Sequence, residues 1–111
     1  MRAALIASLS LASAVHGASA VAADADMAAA AELAKTSGCL TCHSLTEKIV
    51  GPAYSSVAAK YAGDKDAVAT LAQSIQMGSS GKWGRIAMPA QSSVSANDAK
   101  LLATWILSTK P

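Results

Sequence analysis

Two cysteines and a histidine stand within five consecutive positions, in the segment Cys39-Leu40-Thr41-Cys42-His43. Thiols and imidazoles form disulfides, carry out thiol redox chemistry and bind metal ions. Closely spaced groups of this kind occur in structural disulfides, redox-active thiol pairs, structural zinc centres and covalent haem attachments. The spacing and the surrounding sequence discriminate among these sites.

The first three interpretations fit poorly. A disulfide between cysteines this close in sequence closes a short loop and constrains the unfolded chain little. A thioredoxin-like pair is typical of a strand and helix setting, but no strand-like alternation flanks Cys39. A structural zinc ion needs four ligands, and the other histidine, His16, lies in the N-terminal segment. The remaining interpretation is Cys-x-x-Cys-His, the attachment signature of c-type haem.

A haem bound through His43 on one side leaves a second axial position to fill. Met27 and Met77 lie in predicted helices, where packing is the simpler role. Met88 follows a glycine-containing segment and precedes Pro89, which restricts the backbone beside it. Such a loop can carry a thioether to the opposite face of the ring. We therefore predict that His43 and Met88 hold the iron.

The N-terminal segment has the features of a secretory signal. A basic residue, an apolar run and a series of small residues predict a cleaved signal peptide over residues 1–23, with cleavage after Ala23 or Ala20. An uncleaved membrane anchor is the rival interpretation, but a spanning helix needs about 20 strongly apolar residues. Export predicts the periplasm, an oxidising compartment. Residues 24–111 then form one domain.

Composition limits the size of the core and the choice of partners. The chain has 111 residues and a formal charge of +2, and no cluster of basic residues indicates nucleic-acid binding. Hydrophobic residues make up 52% of the chain, but many are alanines and phenylalanine is absent. Alanine buries little area, so we expect something other than side chains to fill the middle of the domain.

The elements around the motif are predicted to be helices, and no segment has strand periodicity. The first is expected to begin at a cap on Asp24 or Asp26 and to stop at Gly38. Three more are predicted, from Pro52 to Gly63, from Asp64 or Asp66 to Gly78, and after an N-cap at Ser95 that is paired with Asp98.

From about residue 30 to Lys110 the chain resembles a class I monohaem cytochrome c, and more narrowly the small bacterial carriers of the c-551 type. The matching segments are Gly38 to His43, Val50 to Tyr54, Val57 to Lys60, Leu71 to Gln73, Gly78-Ser79, Trp83-Gly84, Met88-Pro89 and the last helix. The resemblance implies an all-α fold of about four short helices around one covalent haem c, with the first and last helices crossing. It implies thioether links at Cys39 and Cys42.

The resemblance also implies two roles next to the haem. The carbonyl of Pro52 orients His43, since an acceptor on the far imidazole nitrogen fixes the ring and raises its basicity. The indole N–H of Trp83 reaches a haem propionate.

Some positions depart from the family. Ser74 stands where relatives often carry a basic residue near a propionate, so that charge is missing unless Lys82 or Arg85 supplies it. Arg85 and Ala87 stand where relatives usually have prolines, which predicts a looser loop and a more labile iron bond at Met88.

The function that the resemblance implies is single-electron transfer rather than catalysis. Two axial ligands leave no open position for a substrate, and methionine raises the reduction potential. The partners would be respiratory redox proteins, such as a nitrite reductase or a terminal oxidase, that dock briefly at the exposed haem edge. The carrier itself would be a monomer that does not stay inserted in the membrane after the signal is cleaved. Two alternatives are a haem enzyme or sensor with a displaceable Met88, and a haem subunit of a larger respiratory complex.

Overall fold

Four α-helices form the framework of residues 17–110, the part of the chain that this computed structural model describes. They are α1 (Gly17–Thr36), α2 (Tyr54–Lys60), α3 (Ala67–Met77) and α4 (Ala96–Leu107), and a 3-10 turn covers Cys39–Thr41. Within these residues there is no β-strand, and one isolated bridge pairs Ser79 with Met88. The predicted all-α class is confirmed.

The first helix is longer than expected at its N-terminus. It begins at Gly17 rather than at a cap on Asp24 or Asp26, because the alanine-rich segment before these residues has a high helix propensity. The proposed cleavage sites therefore lie inside α1. The rest of the predicted signal peptide, residues 1–16, lies outside the described residues, so the signal stays a prediction. The helix ends at Thr36, and Gly38 adopts the left-handed conformation expected of the stop, with φ 77°.

The starts of the last two helices follow the predicted residues. Asp66 directly precedes α3, and its backbone N–H donates to Oδ1 of Asp64 at 2.8 Å in a local turn. Ser95 caps α4, because its Oγ accepts a hydrogen bond from the backbone N–H of Asp98 at 3.1 Å.

The helices meet at α4, which packs against α1, α2 and α3. The first and last helices are thus in contact, as the resemblance implies. Leu102 is the largest fully buried side chain. Half of the buried hydrophobic residues are alanines, namely Ala30, Ala34, Ala53, Ala67, Ala72, Ala99 and Ala103. Such a core is thin, as the composition predicted, and it leaves open space between the helices and the loops.

In residues 17–110 no helix combines the length and the apolar character needed to cross a bilayer.

Candidate functional site

One open cavity brings together the six residues that the sequence singled out, Cys39, Cys42, His43, Pro52, Trp83 and Met88. Its empty volume is about 1200 Å³ when the part that opens to solvent is included. Apolar side chains from α2, α3 and α4 line the wall, among them Val57, Leu71, Ile75, Leu102 and Ile106. The space that the alanine-rich core leaves is therefore gathered on the side where the reactive residues lie.

The two thiols are presented by the 3-10 turn that follows α1. The turn is closed by hydrogen bonds from the backbone N–H groups of Cys42 and His43 to the carbonyl of Cys39, at 3.2 and 3.0 Å. Both thiols are free and partly buried. Burial raises the pKa of the Cys39 thiol, and a hydrogen bond with the Tyr54 side chain acts in the opposite direction. The turn holds both sulfur atoms and the imidazole on one wall of the cavity.

The imidazole of His43 is oriented by a neighbouring carbonyl. Its Nδ1 lies 2.8 Å from the carbonyl oxygen of Pro52. A carbonyl can accept a hydrogen bond but cannot donate one, so Nδ1 carries the proton and Nε2 keeps its lone pair in the neutral ring. This is the tautomer that a metal-binding histidine needs.

Tyr54 packs against a face of the same imidazole, a role that the sequence did not indicate. The rings of His43 and Tyr54 are stacked, with centroids 4.8 Å apart and an interplanar angle of 19°. Trp105 of α4 meets Tyr54 edge to face at 5.4 Å. Burial is the main cause that raises the pKa of Tyr54 above its ordinary value. Tyr54 therefore links α4 to the histidine.

Gly51 is a second contributor that sequence reasoning missed. A Cβ atom at this position would lie 2.6 Å from Cε1 and 2.9 Å from Nδ1 of His43. The backbone N–H of Gly51 donates to the carbonyl of Cys42 at 2.7 Å. The segment before Pro52 therefore passes so close to the imidazole that a side chain at position 51 would displace the ring.

Met88 is held by the bridge between its segment and the end of α3. Its N–H donates to the carbonyl of Ser79 at 2.8 Å, and its carbonyl accepts from the N–H of Ser79 at 3.0 Å. A Cβ at Gly78 would lie 2.6 Å from the Met88 carbonyl oxygen, and Gly78 has φ 77°. The pairing thus fixes the backbone of Met88 by contacts that a glycine permits. The other two described methionines, Met27 and Met77, do not line the cavity.

Trp83 lies in the loop that ends at Met88, where it is partly buried and lines the cavity. The ammonium of Lys60 in α2 lies 4.5 Å from the centroid of its indole ring, a cation–π geometry. The same ammonium donates to the carbonyl of Lys82 at 3.3 Å. The loop is therefore attached to α2 beside the tryptophan.

These residues fit a covalently attached haem. The cavity offers two free thiols at the attachment spacing, an imidazole with a free Nε2, a thioether in the same cavity and an apolar lining for a large planar ring. His43 and Met88 would bind the iron, and Cys39 and Cys42 would bind the porphyrin edge.

Comparison with known proteins also indicates a haem-binding protein. The family model described as Cytochrome c matches residues 27–110. Cytochrome c-552 of Hydrogenobacter thermophilus is 57% identical over 79 residues, which cover 71% of this chain and 80% of the relative. Cytochrome c-551 of Pseudomonas aeruginosa is 53% identical over 78 residues, which cover 70% of this chain and 74% of the relative.

The similarity extends to three dimensions. The crystal structure of Nitrosomonas europaea cytochrome c552 superposes with a TM-score of 0.71 at 52% identity, covering 72% of this chain and 99% of that one. The residues that the family model matches, 27–110, include all the residues that line the cavity.

Proposed function

The chain belongs to the cytochrome c family, as a class I monohaem member of the c-551 type, and on that basis we propose that it carries single electrons in the periplasm through a haem ligated by His43 and Met88. Family membership makes it a haem-based electron carrier with covalent haem c rather than an enzyme. The axial ligands, the compartment and the partners are the proposed part.

The observation that supports this ligation is the convergence of His43 and Met88 on one cavity next to the attachment cysteines. The hydrogen bond to Pro52 directs Nε2 to act as the ligand and fixes the plane of the ring. The Ser79 bridge fixes the backbone at Met88, and this favours a defined position for the thioether.

The chain's own residues determine what the cofactor does. Bound haem supplies reversible one-electron chemistry, and the methionine sulfur raises its potential. With His43 and Met88 both holding the iron, no position would remain for oxygen or a substrate. Leu71, Ile75 and Leu102 line the cavity and would exclude water from a bound ring, and the hydrogen bond that fixes His43 would limit rearrangement on a change of charge.

Partner docking is proposed at the exposed edge of the cavity. Val50 and Ile86 line this cavity and are 50% and 68% exposed. Removal of Arg2 with the signal leaves eight basic against seven acidic residues, a formal net charge of +1 before the propionates are counted. Association should then depend on apolar contact with redox partners of a respiratory chain more than on electrostatic steering.

The experiment is an absorption spectrum of the holoprotein exported from a host that attaches haem c. The ferric protein should show the charge-transfer band of an iron–thioether bond at neutral pH, and Met88→Ala should lose it. Met77→Ala is the matched control, since Met77 is 74% exposed and lies outside the cavity. N-terminal sequencing of the same material should begin at Asp24 or Val21.

Two results would contradict the proposal. One is an unchanged band in Met88→Ala. The other is rapid binding of cyanide by the wild-type protein without any such band, which would favour a haem enzyme or sensor with an open axial position.

A further inference from the structure

Lys82 lines the cavity and forms a hydrogen bond with the hydroxyl of Ser74, another lining residue. Its Nζ donates to Oγ of Ser74 in α3 at 3.0 Å. The contact joins the loop that carries Trp83 and Met88 to the helix on the neighbouring wall. It also places the positive charge of Lys82 at the position of Ser74.

A second ammonium lies close to this loop. That of Lys60 contacts the carbonyl of Lys82 and the face of the Trp83 indole, so it lies beside two residues of the cavity wall, although Lys60 itself does not line the cavity. Both lysines are exposed.

Within residues 17–110, no carboxylate forms an ion pair with Lys60 or Lys82. The ion pair found among residues 17–110 is Lys35 with Glu32, within α1. Lys60 and Lys82 contact a carbonyl, a hydroxyl and an aromatic ring, all of them neutral. Lys82 is a cation on the wall of a largely apolar cavity, and Lys60 adds a second positive charge next to it. This arrangement fits a planar apolar ligand that carries a carboxylate at that edge.

We propose that Lys82, held on Ser74, is the residue of this chain that pairs with a haem propionate. The inference rests on the proposed function, because it requires the haem to occupy this cavity. Arg85 lies in the same loop and is exposed, but it does not line the cavity. The structure therefore assigns the role to Lys82 and not to Arg85.

The expected effect is on the reduction potential. A cation near the haem disfavours the ferric state, which carries one more positive charge than the ferrous state. Loss of the Lys82 charge should therefore lower the potential. One unit charge at about 10 Å in a partly solvated site shifts the ferric-to-ferrous ratio roughly threefold at a fixed ambient potential.

The test is a redox titration of holoprotein variants. Lys82→Gln should raise the ferric-to-ferrous ratio by this factor, and Arg85→Gln, which removes the same charge from the same loop, should shift it much less. Ser74→Lys in the Lys82→Gln background should restore the wild-type ratio, because it returns a cation to the same point from α3. If Lys82 acted only in loop structure, Ser74→Lys would not restore the ferric-to-ferrous ratio.

The proposal is overturned if Lys82→Gln leaves the ratio unchanged, if Arg85→Gln shifts it as much, or if Ser74→Lys fails to restore it. Each reading is taken on protein that keeps the iron–thioether band. A wild-type protein without that band would instead contradict the proposed function.

Discussion

Gly51→Ala is the sharpest test of how the fold holds the imidazole of His43. The new Cβ would lie 2.6 Å from Cε1 of His43, whereas ordinary contacts begin near 3.4 Å. The imidazole must therefore move by about 0.8 Å, the difference between these distances. The φ of Gly51 is not in the left-handed region, so alanine adds no backbone strain and the effect comes from the contact alone.

The energetic cost follows from what the ring loses. A shift of this size breaks or lengthens the 2.8 Å hydrogen bond from Nδ1 of His43 to Pro52, which contributes about 1 kcal/mol. Overpacking of the ring against its neighbours adds about 1–3 kcal/mol. The sum, about 2–4 kcal/mol, is less than the stability of 5–15 kcal/mol that is typical of folded domains, so we expect the variant to fold.

The assay is denaturant unfolding of the holoprotein, together with its reduction potential. Loss of the hydrogen bond lowers the basicity of the imidazole, and this should raise the potential. Gly63→Ala is the control, because Gly63 has φ 78° and no atom within 4 Å of an added Cβ. It should cost about 1–2 kcal/mol of backbone strain and leave the potential unchanged. Wild-type stability and potential in Gly51→Ala would refute the reasoning.

Three further outcomes are expected. Gly78→Ala should weaken the iron–thioether band and lower stability by more than Gly63→Ala, because it combines left-handed strain with a clash at the Met88 carbonyl; an intact band would contradict this. Ser95→Ala should lower the unfolding free energy by about 1 kcal/mol in thermal or denaturant unfolding without a spectral change, since it removes the cap of α4; no loss of stability would argue against the cap. The pKa of Tyr54 is higher in the folded protein than its unfolded value of about 10. The neutral phenol therefore stabilises the fold below about pH 10, and this stabilisation is lost as the pH rises above that value. Unfolding at about pH 8 and about pH 11 should therefore show a smaller alkaline loss in Tyr54→Phe than in the wild type, and an equal loss would contradict it.

The sequence predicted the fold class, which the structure and the relatives confirm. Helix ends were predictable where a local signal sets them, as at Ser95 or Gly38, since a cap depends on residues a few positions away. The predicted start of α1 was wrong, because the high helix propensity of the alanine-rich segment extends the helix to Gly17, N-terminal to Asp24.

Contacts between distant segments could not be read from the sequence. The attachment motif consists of neighbouring residues and can therefore be recognised in the sequence. The approach of Gly51 to His43 depends instead on how the segment after the motif folds back onto the imidazole. The bond between Lys82 and Ser74 joins a loop to a helix. The sequence raised Lys82 and Arg85 as equal candidates for a missing charge, and the structure distinguishes them by the cavity that each does or does not line.

The most direct test of the account is a proton NMR spectrum of the reduced holoprotein with labelled methionine methyl groups. An axial methionine lies over the haem face, where the ring current shifts its methyl signal strongly upfield. The account predicts one such signal, and its loss in Met88→Leu. Absence of any shifted methyl, or a shifted methyl that persists in Met88→Leu, would contradict ligation by Met88.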